Sequence, residues 1–231
     1  MPEKERGRKV YALLRKHHTD AKIALNFTTP FELLIATILS AQCTDARVNI
    51  VTPDLFRKYP TPKDFATAAK SELEQDIRST GFFRQKAKSI INCSTSLIER
   101  FDGEVPRTME ELLTLDGVGR KTANVLLGNA FGVPGIAVDT HVSRLVQRLG
   151  FSKQSDPTKI EVDLAAVFPK KNWTMLCHLL ISHGRKVCLA RNPKCDICVT
   201  NELCPSAFAV ESQKHAAKET SRRIKSPAVG G

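Results

Sequence analysis

The segment Leu115–His141, LDGVGRKTANVLLGNAFGVPGIAVDTH, constrains this chain more than any other. Ahead of it, Pro106 and Thr108 open an apolar-periodic helix. Glu111 follows Thr108 in the pattern of a capping box, and Leu112, Leu113 and Leu115 come next. Behind Gly117-Val118-Gly119, the residues Ala123, Leu126, Leu127 and Ala130 recur at i, i+3, i+4 and i+7, which is one face of a helix. The spacing predicts helix, tight turn, helix over residues 108–130. Glycine admits positive φ and leaves no side chain to hold another backbone away. The first amides of the second helix then point outward at the positive end of its dipole, where an anion such as a DNA phosphate fits. A plain helical hairpin, whose glycines only make the turn, fits the same pattern.

Two residues add chemistry to the turn. Lys121 stands two places beyond Gly119 and offers either a further phosphate contact or an amine that attacks an electrophilic carbon to form a Schiff base. The second role needs a neutral amine, which the adjacent Arg120 and the positive end of a helix favour. Asp139 follows downstream and could accept a proton from that amine or stabilise a positively charged sugar as a bond to C1′ breaks. It is also a natural N-cap, because Val142, Leu145, Val146 and Leu149 form a helical face just after it. The two roles are compatible.

Charge narrows the partner. The 231 residues carry a formal charge of +11, which favours a polyanion, and no stretch approaches the roughly 18 apolar residues of a membrane-spanning helix. Nucleic acid is therefore preferred over a membrane. The opening MPEKERGRKV lacks the apolar run of a secretory signal, so an intracellular setting is expected, one in which disulfides are disfavoured.

Taken in order, residues 8–18 form a basic helix with Val10, Leu13 and Leu14 inward, and Thr29-Pro30-Phe31-Glu32 starts a buried one running through FELLIATILSA. Val48, Ile50, Val51, Leu55 and Phe56 support the next. Thr61-Pro62-Lys63-Asp64 and Ser71 with Glu74 start two more, the latter stopping near Gly81. Residues 85–100 are amphipathic, with Ala87, Ile90, Ile91 and Leu97 inward, and further helices follow at 157–168 and 172–187. No alternating β-type runs occur, so the fold class is all-α. Residues 212–231 are polar, basic and end in Gly-Gly, as expected of a disordered tail that either adds attraction to DNA or does nothing.

Seven cysteines need a reason other than disulfides. Cys188, Cys195, Cys198 and Cys204 form a C-x6-C-x2-C-x5-C pattern in a loop-rich segment, the donor set of a structural zinc site or of an iron–sulfur cluster. Cys43, Cys93 and Cys177 lie in apolar helical contexts and read as buried thiols.

These motifs together resemble the endonuclease III family of helix-hairpin-helix DNA glycosylases over residues 8–208. The resemblance implies two helical lobes with a DNA groove between them: a central barrel at 24–134, and a lobe of 1–23 plus 135–211 carrying a cluster loop at 188–204. It implies a monomer that works in the bacterial cytoplasm on double-stranded DNA containing damaged pyrimidines or abasic sites. By position, Lys121 becomes the Schiff-base nucleophile and Asp139 the essential carboxylate, and Gly117, Val118, Gly119 and Arg120 become the phosphate-binding hairpin. The cysteine spacing becomes that of a structural [4Fe–4S] loop, with Arg191 and Lys194 between the first two ligands facing the DNA backbone.

An enzyme that flips a base out must also fill the gap. The stretch LSAQCTD resembles the one in which the family supplies a glutamine for this, which by position implies Gln42, and Phe82 stands where the family carries an intercalating wedge, often aliphatic. Packing in the core beside Phe83 is the other reading of Phe82. Adenine glycosylases of the superfamily carry a catalytic glutamate where this chain has Thr37, so adenine excision is disfavoured. A mismatch-directed pyrimidine glycosylase, or a non-catalytic iron–sulfur DNA-binding protein, would use the same scaffold.

Overall fold

The structure is a computed structural model describing residues 1–209; the basic tail at 212–231 lies outside them. Among the described residues every regular element is helical. In chain order they are α1 (Glu3–His17), α2 (Pro30–Leu39), α3 (Asp45–Lys58), α4 (Pro62–Ala66), α5 (Lys70–Asp76), α6 (Phe83–Phe101), α7 (Met109–Leu112), α8 (Arg120–Ala130), α9 (Thr140–Arg148), α10 (Pro157–Val167) and α11 (Trp173–Lys186), with short 3-10 turns between some of them. The chain divides into two compact units, 1–21 with 138–169 and 175–209, and 22–137 with 170–174.

The second unit is built around α2. The Thr29 hydroxyl accepts the Glu32 amide, Pro30 occupies the first turn, and the residues from Leu33 to Leu39 are all buried. Such a helix can only be central, and α3, α6 and α8 pack around it. Each fully buried Leu or Ile here contributes about 1.5–3 kcal/mol. α4 opens with a complete capping box between Thr61 and Asp64, and α4 and α5 pack on α6.

Four local expectations change. The helix α5 starts at Lys70 behind Ala69 with no side-chain cap, so Ser71 and Glu74 lie within it. Ile50 is 64% exposed, because the inward stripe of α3 runs through Val48, Thr52 and Leu55. At α7, Thr108 accepts the Glu111 amide, but the Glu111 carboxylate bonds the Thr108 hydroxyl rather than its backbone N–H, leaving the capping box half made. Cys43 is only half-buried, whereas Cys93 and Cys177 are buried as expected. Burial, reinforced by Asp116, pushes the Cys93 thiol up to about 12, which leaves it an inert core residue.

In the first unit α1 lies on α10, with Val10 and Leu14 buried beside Ile160, Leu164 and Phe168. Gly7 permits this approach: a Cβ there would stand 2.7 Å from Val167 Cγ1. Arg6 ties the N-terminal helix to later chain, donating to the carbonyls of Leu149, Gly150 and Leu203 and lying over the Phe151 ring.

Candidate active site

The hairpin is held by side chains that its own sequence does not announce. Asp116 accepts from Ser89 Oγ at 3.1 Å and Asn92 Nδ2 at 2.8 Å, pinning the turn to α6. Gly117 then takes φ 77°, a left-handed conformation, where a Cβ would also stand 3.1 Å from that of Ser89. Val118 turns inward and is buried. Gly119 differs from the expectation for the pair: its φ is −94°, so it is extended backbone acting as the N-cap of α8. A Cβ on Gly119 would meet nothing within 4 Å, so the space in front of it is open to an incoming backbone.

Arg120 and Lys121 open α8, and both are exposed. Ala123, Leu126 and Leu127 anchor the opposite face of α8 in the core, which fixes the direction in which the first turn points. Among the described residues Lys121 Nζ has no hydrogen-bond or ion-pair partner, so no carboxylate ties up the amine. One turn on, buried Asn124 donates to the Ile136 carbonyl at 3.0 Å. It lies so close to Gly135 that a Cβ there would stand 2.6 Å from Asn124 Oδ1. α8 thereby orders the segment that leads toward Asp139.

Asp139 belongs to the first unit and caps α9, its Oδ1 accepting the Val142 amide at 2.7 Å. It is half-buried and lies near enough to Arg144 to interact with its charge. The cap uses one carboxylate oxygen, so the expected N-cap geometry leaves a second available for chemistry.

In the same unit Cys188, Cys195, Cys198 and Cys204 line one pocket. Burial and then the neighbouring thiols push the Cys204 thiol up, as expected of four sulfurs that share a pocket and need a cation to become thiolates together. The pocket wall supplies donors. Arg148 reaches Cys188 Sγ at 3.3 Å and the Leu189 carbonyl at 2.7 Å, and Thr200 Oγ1 lies 3.3 Å from Cys198 Sγ. His183 Nε2 stands 3.4 Å from Cys198 Sγ, while His183 Nδ1 meets His18 Nε2 at 2.9 Å. Burial lowers the His183 pKa to about 4, so the ring is neutral and has one N–H to place between these partners. The donor set suits a thiolate-bound metal group. No three Cys, His, Asp or Glu side chains among the described residues converge as ligands of one ion. Arg191 and Lys194 are exposed on this loop.

Gln42 and Phe82 both sit at exposed tips of the second unit, and both adopt left-handed backbone, with φ 53° and 48°. Phe82 is 65% exposed while Phe83 packs against the core, which rules out core packing for Phe82. Thr37 is buried and its hydroxyl is committed to the Leu33 carbonyl at 2.7 Å. Sequence patterns carried no sign of Asp116, Asn124, Arg148 or the His18–His183 pair, whose partners are mostly far away in the chain.

A short helix, a turn that leaves its amides open and a second helix that begins with an exposed lysine make a helix-hairpin-helix. Residues 35–170 match the family model described as HhH-GPD superfamily base excision DNA repair protein. Endonuclease III from Synechocystis sp. (strain PCC 6803) is 52% identical over 208 residues, 90% of this chain and 95% of that one. A solved non-covalent endonuclease III–DNA complex superposes with a TM-score of 0.87 at 46% identity, covering 92% of this chain and 100% of the other. A trapped endonuclease III–DNA covalent intermediate gives a TM-score of 0.86 at 47% identity, with 90% and 99% covered. The chain belongs to the endonuclease III family of this superfamily.

Proposed function

We propose that this chain is a DNA glycosylase and abasic-site lyase that removes oxidised pyrimidines from duplex DNA and then nicks the strand. The observation that carries the reading is Lys121: an exposed amine with no partner among the described residues, at the start of the helix behind an open Gly-x-Gly turn. Membership of a base excision repair family of DNA-bound enzymes supports it.

The Gly117–Gly119 turn and Arg120 hold a phosphate of the damaged strand through backbone amides and charge. The Lys121 amine attacks C1′ through its nitrogen lone pair, and the C1′–N bond breaks with its electron pair leaving on the base, which takes up a proton. Asp139 accepts the proton lost from the amine and stabilises the cationic sugar. Opening of the sugar ring yields an imine between Lys121 and C1′. Loss of a C2′ proton then expels the 3′ phosphate by β-elimination, which cuts the strand.

Gln42 and Phe82 fill the gap left by the extruded nucleotide. Phe82→Ala should weaken binding to a lesion duplex roughly tenfold by loss of the wedge. Because the side chain is exposed, its stability cost should stay within about 0.5 kcal/mol. A large fall in melting temperature would return Phe82 to a packing role.

Cys188, Cys195, Cys198 and Cys204 would hold a [4Fe–4S] cluster, with Arg191 and Lys194 on its loop placed to meet DNA phosphates. Bound there, the cluster is structural: it cross-links the loop. The C-x6-C-x2-C-x5-C spacing of the four cysteines, in a chain of the endonuclease III family, supports the cluster over a single zinc ion. Purified protein should be brown, and Cys198→Ser should lose the visible absorbance and weaken DNA binding together. Colourless protein containing one zinc per chain would assign the site to zinc.

The direct test of the function is a duplex carrying one thymine glycol. Release of the base with a strand break on its 3′ side is expected. Release without a break would point to a monofunctional glycosylase. Activity only on mismatched pyrimidines would point to a mismatch-directed enzyme, and tight binding without reaction to a non-catalytic protein.

A further inference from the structure

Lys86 is 4% exposed, in the first turn of α6. Its Nζ donates to the Leu39 carbonyl at 2.7 Å and to the Thr80 carbonyl at 2.8 Å, and no carboxylate among the described residues pairs with it. A buried ammonium is costly to desolvate, and here its return is two charge-assisted bonds to backbone rather than an ion pair. The two acceptors are far apart in sequence but alike in position. Leu39 ends α2, three residues before Gln42; Thr80 ends a 3-10 turn, two residues before Phe82. One ammonium therefore ties together the roots of both exposed tips.

The tips also share a backbone feature. Gln42 and Phe82 are non-glycine residues in left-handed conformation, which costs free energy and persists only where the surroundings over-determine it. The Leu39 and Thr80 carbonyls are fixed points from which each tip departs, so a change in their separation would swing Gln42 relative to Phe82. The chain also returns to the clamp directly: the Lys86 amide donates to the Phe82 carbonyl at 3.0 Å. Lys86 thus grips the wedge loop by main chain and side chain, and the Gln42 loop by side chain.

We propose that Lys86 is a positioning residue for base extrusion, a buried brace that holds Gln42 and Phe82 in register so that both enter the duplex together. The proposal rests on the reading of those two residues as gap-fillers. Lysine suits the task because its three donors can serve two separated carbonyls at once. Methionine, of similar length, would leave both carbonyls without a donor.

The test compares substrates that differ only in the need for extrusion. Lys86→Met should slow single-turnover excision from a thymine glycol duplex at least about tenfold. On a duplex with an abasic site opposite a second abasic site there is no base to extrude and no orphan to support. Borohydride trapping there should stay within about twofold of wild type. Adding Phe82→Ala to Lys86→Met should cost less than the product of the two single losses, because both act through the same tip. Equal losses on both substrates, tracking a lower melting temperature, would make Lys86 a stabiliser of the fold and overturn the proposal. So would unchanged excision. Gln42→Ala and Phe82→Ala serve as controls: if both excise at the wild-type rate, the gap-filling reading fails and the brace with it. If they are slow and Lys86→Met is not, the brace alone fails. Should Lys86→Met not fold, Lys86→Gln, which retains an amide donor to one carbonyl, carries the same comparison.

Discussion

Lys121→Gln is expected to abolish the covalent adduct that borohydride traps on a duplex bearing one thymine glycol, and to slow strand cleavage by at least about a thousandfold. Glutamine has a comparable reach and can still donate to a phosphate, but an amide nitrogen does not form an imine. The substitution therefore separates the two readings of this position. If Lys121 only contacts phosphate, the adduct survives with weaker binding; if it is the nucleophile, binding survives and the adduct disappears. Stability should hardly change, because the side chain is exposed and has no partner among the described residues. An adduct of undiminished yield from the variant would place the nucleophile on another amine.

Asp139→Asn carries the second large effect. The structure gives Asp139 a definite structural task, the cap on the Val142 amide, and asparagine caps a helix as well as aspartate does. The variant should melt close to wild type, while base excision falls by about 10²–10⁴ with the loss of the charge and of the proton acceptor. Asp139→Ala adds the loss of the cap, about 1 kcal/mol of stability. Excision by Asp139→Asn at the wild-type rate would reduce Asp139 to its cap. A shared loss of activity and melting temperature in both variants would say the same.

The two substitutions act on features that local sequence carried. Helix starts at Thr29, Thr61, Asp139 and Asp156 were legible because a cap is a contact over three residues. The burial of α2 follows from a run, Leu33 to Leu39, that is apolar but for Thr37, and the turn at Gly117 from a residue type that tolerates positive φ. Where sequence reading went astray, the deciding contacts lay elsewhere. Gly119 looked like its partner glycine but is extended, since in this turn it is the helix cap and not the reversal. Ile50 is one of the apolar residues that support a helix at α3, yet the packing of α3 leaves it exposed. Phe82 and Phe83 are chemically identical neighbours, and only the left-handed backbone at Phe82 sends one out and the other in.

The sequence by itself determined the helical class, the hairpin and its lysine, the aspartate that caps α9, and four cysteines at a ligand spacing. Those are properties of residue type and short-range periodicity, which a chain expresses before it folds. Tertiary structure alone decided that Asp116 pins the hairpin to Ser89 and Asn92, and that Arg148 and His183 face the cysteine sulfurs. It also decided that Lys86 bridges Leu39 to Thr80. The physical reason is the same in each case. A charged or polar group buried by packing must find its partner in whatever backbone the fold brings alongside, and no local pattern in the chain records that encounter.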